Sequence, residues 1–162
     1  MTEKEILKQV RFVRDLTLNA VEKLDEQTID EKPPGFRNTI RWNIGHIITS
    51  QELLLGKFTG ISAMSLPDSY IELFSPGTKP ADWKQEAPSL DELNRMLKEQ
   101  PQRIEDALSG KLDDPVAKPF KIGAQGELSR IGEILNFTIY HEGLHQGHIS
   151  ALQRAIAGKE TR

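Results

Sequence analysis

The chain has 162 residues, a formal net charge of −3 and no cysteine, with hydrophobic and charged residues at 37% and 28%. A single domain of that size can bury a core without cross-links. The missing cysteine excludes a disulfide framework, a thiolate metal site and a cysteine nucleophile, and interspersed charges of slightly acidic sum exclude the basic field that attracts nucleic acid. The first twenty residues are studded with charges, unlike a signal peptide, and no stretch approaches the roughly 20 apolar residues of a membrane span. A cytoplasmic protein without nucleic-acid or membrane partners is the expectation.

Thr2 followed by Glu5 reads as a capping box, and Ile6, Val10, Val13, Thr17, Val21 and Leu24 then recur at helical spacing. A first helix to about Leu24 follows. Pro33, Pro34 and Gly35 mark 25–38 as a connection. The second helix, about Thr39 to Phe58, is apolar around much of its axis and so belongs near the centre of the fold. Residues 60–88 hold Pro67, Pro76, Gly77, Pro80 and Pro88, and read as a long connection that lets the second and third helices run parallel. Ser89 and Glu92 suggest another capping box ahead of a third helix, which Pro101 should kink or split. The turn-rich segment 113–126 leaves room for a short strand at Pro119–Ile122. Ser129 is expected to cap the longest helix, and Gly158 to end it. The whole is one domain over residues 1–162, an all-α four-helix bundle with a long connection between helices 2 and 3.

The four histidines carry the functional signal. In YHEGLHQGHISAL, His145 lies about 40° round the helix from His141, and His148 about 20° to the other side. That arc also holds Ile134, Phe137, Thr138, Leu144 and Leu152, which makes it a core-facing stripe. Several imidazoles in an apolar stripe need partners, and one divalent cation satisfies them together. A further ligand must come from a facing element; His46, mid-way along the second helix, is the remaining histidine. A hydrogen-bonded core residue is the simpler account of any one of them. All four at inward, mid-helix positions point instead to a metal site. Asn43 and Ser50, one turn either side of His46, could orient it or simply line the site. Trp42, Tyr70, Phe74 and Trp83 are candidates for an apolar pocket wall or for the core.

His141-Glu142-Gly143-Leu144-His145 also matches HExxH, the zinc metallopeptidase pattern. Its longer form requires glycine at 148 and histidine at 151, where this chain has His148 and Ala151. A glutamate ligand on a later helix would have to be Glu160, two residues beyond Gly158. Glu142 lies about 100° round the helix from His141. It can be read as a general base, as a surface carboxylate or as one that orients a ligand.

The Gly-His of Trp42-Asn43-Ile44-Gly45-His46, followed by Gly132–Asn136 and the HExxHxGxI of His141–Ile149, resembles the DinB/YfiT-like superfamily of small bacterial four-helix bundles. The resemblance spans essentially the whole chain in length and helix order. It implies a metal triad of His46, His141 and His145, holding a nickel-, zinc-, iron- or manganese-type divalent ion. The family commonly has glutamine where this chain has His148, which leaves His148 open as a fourth ligand, a proton-transfer group or a donor to a ligand. Some relatives are thiol S-transferases using bacillithiol, mycothiol or glutathione, and others are assigned as hydrolases.

Three neutral imidazoles leave the charge of a divalent ion uncancelled and coordination positions open, so a coordinating water or thiol is acidified. Without cysteine in the chain, any thiol is a cosubstrate. The expected activity is therefore metal-dependent thiol S-transfer or hydrolysis on a small molecule, with His148 outside the ligand set as a proton carrier. A homodimer is among the assemblies expected. The alternative is a non-enzymatic metal-binding or stress-response bundle, which His148 would close as a fourth ligand.

Overall fold

A computed structural model of the protein describes residues 2–63, 66–124 and 126–158; Glu160 lies outside them. Among the described residues, five α-helices and one β-hairpin follow in the order α1 (Glu3–Val21), α2 (Ile40–Thr59), α3 (Asp68–Phe74), α4 (Leu90–Leu108), β1 (Pro115–Ile122), β2 (Gly126–Arg130) and α5 (Ile131–Ala157). The fold is mostly helical, but the expected count of four helices and absence of a sheet require correction. The proline-rich stretch after α2 is not a bare connection. It folds into α3 and a 3-10 turn at Pro80–Asp82, pinned by bonds from Trp83 Nε1 to the Leu73 carbonyl (3.0 Å) and from Tyr70 to Glu92 (2.9 Å). The strand expected at Pro119–Ile122 is one end of a hairpin in which Phe120 pairs with Leu128.

Helix ends follow the capping chemistry with two exceptions. Thr2 and Glu5 form the reciprocal box, and Thr39 accepts from the Trp42 amide. At α4 Ser89 accepts from the Glu92 amide, but the Glu92 carboxylate is drawn to Tyr70 instead of closing a box. Ser129 does not cap α5; it lies within β2, the N-cap position falls to Arg130, and Glu133 accepts from the amides of both Ser129 and Arg130. Gly158, at φ 61°, takes the left-handed turn that ends α5.

Side-chain pairings fix the helix directions. Gln100 of α4 reaches Ile48 and Glu52 of α2. Ile40 and Ile44 share one core with Leu93 and Leu97, and Leu55 and Phe58 share the other with Ile104 and Leu108, so α2 and α4 are parallel. Helix α5 runs antiparallel to α2, with Asn43 at His145 and Gln51 at Thr138.

A buried polar layer separates the two cores. Arg14, 1% exposed, pairs with Glu142 through Nε (2.8 Å) and Nη2 (3.1 Å), and also bonds Gln51 and Gln100. Its Nη1 donates to the Leu97 carbonyl at 2.8 Å. That carbonyl is the one Pro101, lacking an N–H, cannot engage four residues on. Helix α4 is therefore not split at Pro101. The guanidinium satisfies the group that the proline leaves open.

Candidate metal centre

Glycine 45 is what lets His46 be held. A Cβ at this position would stand 2.5 Å from the Phe74 ring, which packs directly on the α2 backbone. This close approach sets the Phe74 carbonyl 2.6 Å from His46 Nδ1. The carbonyl can only accept, so Nδ1 carries the proton and Nε2 keeps its lone pair. Trp42, one turn back on α2, stacks on the imidazole with ring centres 4.4 Å apart and planes 13° from parallel. The indole is itself tied by Nε1 to Thr78 at 2.8 Å. Ser50 Oγ lies 3.0 Å from Nε2.

Helix α5 presents His141 and His145 to this ring. Centroid separations are 5.1 Å from His46 to His141, and 4.6 Å both from His46 to His145 and from His141 to His145. His145 Nδ1 donates to Asn43 Oδ1 at 2.8 Å, while the Asn43 amide nitrogen is fixed on the Thr39 carbonyl. The Nε2 of His145 is thereby left as the acceptor. One ring nitrogen from each of the three histidines lies within 4.8 Å of the other two.

Burial pushes the His141 imidazole down to about 4, with His46 adding to the shift and Glu142 opposing it. Burial takes His145 down to about 3, helped by His46, His141 and His148. His46 is lowered chiefly by burial, against the pull of the Phe74 carbonyl. All three are neutral near pH 7, the form that ligates metal. Convergence, neutrality and Nδ1 anchors on at least two rings fit a divalent ion; imidazole nitrogen suits zinc, nickel, iron or copper. His46, His141 and His145 could hold it.

The remaining residues singled out in the sequence separate from this cluster. His148 is exposed, its ring 5.8 Å from that of His145. Leu144, expected in the core, is 47% exposed. The histidine arc faces α2 on one side and opens to solvent on the other. Glu142 is no surface carboxylate: it is buried and accepts from Arg14 and from Thr17 (2.6 Å) in the polar layer. Trp42, Tyr70 and Phe74 belong to the core.

Two clefts flank the histidines. An apolar groove of about 420 Å³ ends at His141 and Ser50, and a second cleft of about 380 Å³, of mixed lining that includes Phe36, Trp42 and Leu152, ends at His145 and His148. Arg37 and Asn38 also line this second cleft. Asn38 Oδ1 is buried without a hydrogen-bond partner among the described residues. The walls of the apolar groove escaped the sequence reading. Phe137 is one helical turn before His141, and Leu53 is one turn after Ser50, so helical spacing could have found them. Nothing in the sequence points from Phe120, on the hairpin, to the same place.

Comparison with known proteins bears on this arrangement. No curated protein matches the sequence significantly. The crystal structure of a conserved protein from Enterococcus faecalis is similar in fold, with a TM-score of 0.67 over 98% of this chain and 99% of that one, at 13% identity. No helix among the described residues is long and apolar enough to cross a membrane. The sequence model of the DinB superfamily matches residues 9–149, a span that contains all four histidines, and the chain belongs to that superfamily.

Proposed function

We propose that His46, His141 and His145 hold one divalent metal ion and that the protein is a metal-dependent transferase joining a thiol cosubstrate to an apolar acceptor. The observation that carries this reading is the donor set: three neutral imidazoles converge, two with Nδ1 hydrogen-bonded away from the centre. A divalent ion bound there would acidify a coordinating thiol or water and supply a nucleophile at neutral pH. Two separate clefts meeting at the cluster, one walled by apolar side chains and the other carrying Arg37 at its rim, favour transfer between two substrates over hydrolysis of one.

The chain's own residues divide the remaining work. Arg37, exposed at the rim of the second cleft, suits the carboxylate of a small polar thiol. His148, exposed in that cleft and outside the cluster, is placed to take the thiol proton to solvent. Glu142 is assigned no proton transfer, because Arg14 and Thr17 hold its carboxylate in the core. A storage or sensing bundle needs a fourth protein ligand to close the site, and His148 lies outside the three-histidine group. Elemental analysis of untagged protein should find close to one divalent ion per chain. His46→Ala, His141→Ala and His145→Ala should each abolish it, and His148→Gln should not. Loss of metal in His148→Gln would move the storage reading ahead.

A further inference from the structure

We infer that the apolar groove ending at His141 binds the acceptor substrate, and that this substrate is an aromatic-sized apolar body carrying an anionic group about 10 Å from its reacting end. The reaction implied rests on the metal-site reading; the binding does not. Leu53 and Leu54 of α2 and Phe137 of α5 are only partly buried, although all three flank a fully developed core. The hairpin brings Phe120 against both Phe58 and Phe137, at centroid distances of 4.7 and 5.0 Å, completing an aromatic wall on the third side. Apolar side chains held around an open groove of about 420 Å³ make a pre-formed small-molecule site.

Polarity along the groove sets the orientation. Ser50 and His141 close one end beside the other two histidines. Lys57 stands towards the other, seven residues further along α2, a rise of about 10 Å. Among the described residues no carboxylate pairs with Lys57, whose ammonium lies 5.3 Å from the centre of the Phe58 ring. An apolar ligand reaching the histidines thus meets an uncompensated cation at its distal end.

The test uses metal-free protein, so that a carboxylate has no ion to bind, and follows 4-phenylbutyrate, 4-phenylbutanol and 4-phenylbutylamine by calorimetry. The expected order is acid, alcohol, amine, with about tenfold between acid and amine, the effect of reversing one charge beside a solvent-exposed cation. Lys57→Glu should invert that order, and Phe120→Ala should weaken all three about tenfold. Both sites lie outside the two cores' fully buried residues, and thermal melts check that the variants fold. Equal affinity for the three probes, or no response to either substitution, overturns the inference. His141→Ala separates the two readings. If metal is lost there while the probes still bind, both stand; if metal is retained, the metal site fails alone. If wild-type protein binds metal but none of the probes, the groove assignment fails alone.

Discussion

Substituting Gly45 with alanine puts a methyl group where the Phe74 ring now packs. The added Cβ would meet three ring carbons at 2.5, 2.5 and 2.6 Å, whereas carbon atoms rest about 3.5–4.0 Å apart. The ring must retreat by about 1 Å. It is fully buried and sits edge-on to both Tyr70 (5.5 Å) and Trp83 (5.6 Å), so it has little room to do so. Overpacking of this kind costs about 1–3 kcal/mol, and a confined ring belongs in the upper half of that range. Alanine regains about 1 kcal/mol over glycine within a helix. The net loss is about 1–2 kcal/mol, or roughly 2–8 °C in melting temperature for a chain of this length. A second effect follows from the first: if Phe74 moves, its carbonyl leaves His46 Nδ1, and losing such an anchor lowers metal affinity about 10–100-fold. Gly56→Ala is the control. It lies on the same helix with nothing within 4 Å of the new Cβ, and should stabilise by about 0.4–1 kcal/mol. Thermal melts and a competitive metal titration on both variants decide the matter. If Gly45→Ala matches Gly56→Ala in stability, or binds metal as tightly as wild type, the account of the Gly-His pair is wrong.

Glu142→Ala should destabilise the protein by about 3–5 kcal/mol in denaturant titration, because Arg14 would be left charged and unpaired in the core. Arg14→Met with Glu142→Leu should recover only part of that loss, because removing both charges relieves the unpaired guanidinium but leaves the Leu97 carbonyl and the Gln51 and Gln100 oxygens without their donor. Chelation should lower the melting temperature while leaving helical circular dichroism at room temperature intact, since the two cores close without the ion. In the metal-free protein, His141 and His145 titrate near 4 and 3, below an ordinary value near 6.5. The unfolded chain therefore takes up protons first. Stability should be complete above about pH 6.5 and decline as the pH falls towards those folded values. Alanine at positions 46, 141 and 145 together should flatten the decline between about pH 6.5 and 5, before carboxylates dominate; an unchanged slope would contradict the neutral-imidazole assignment.

What could be read in advance was whatever repeats along a helix. The spacing of His141 and His145 and the central placement of His46 follow from 3.6 residues per turn, so the cluster was legible from the sequence. The same periodicity misled at Leu144 and His148. It gives a residue's angle on α5 but not where the neighbouring helix ends, and both sit past that edge. Glu142 lies off the histidine arc, and its angle alone leaves it open as a general base, a surface carboxylate or one that orients a ligand. It turns inward to α1 because Arg14, 128 residues away in sequence, is waiting there. Proline and glycine content marked the stretch after α2 as irregular but concealed α3, whose carbonyl anchor on His46 is a backbone atom and leaves no mark in the sequence. Phe120 is the same case on the hairpin. Its value to the groove comes from pairing geometry, not from its neighbours in the chain.

The polar layer has one more implication. A helix such as α5, apolar around much of its girth, has several ways to lie in a groove between partners; sliding by a turn or rolling by one residue would still bury leucine and isoleucine. Every such alternative strands Arg14 and Glu142 apart from each other, and an isolated buried charge carries a penalty of several kcal/mol. Only one seating of α5 escapes it. Because Glu142 directly follows His141, that seating also turns His141 and His145 towards His46. The histidines thus converge without an ion, and a metal bound there would not have to select a rare conformer. A protein built in this way can have its ligands exchanged, one metal preference for another, without renegotiating its fold.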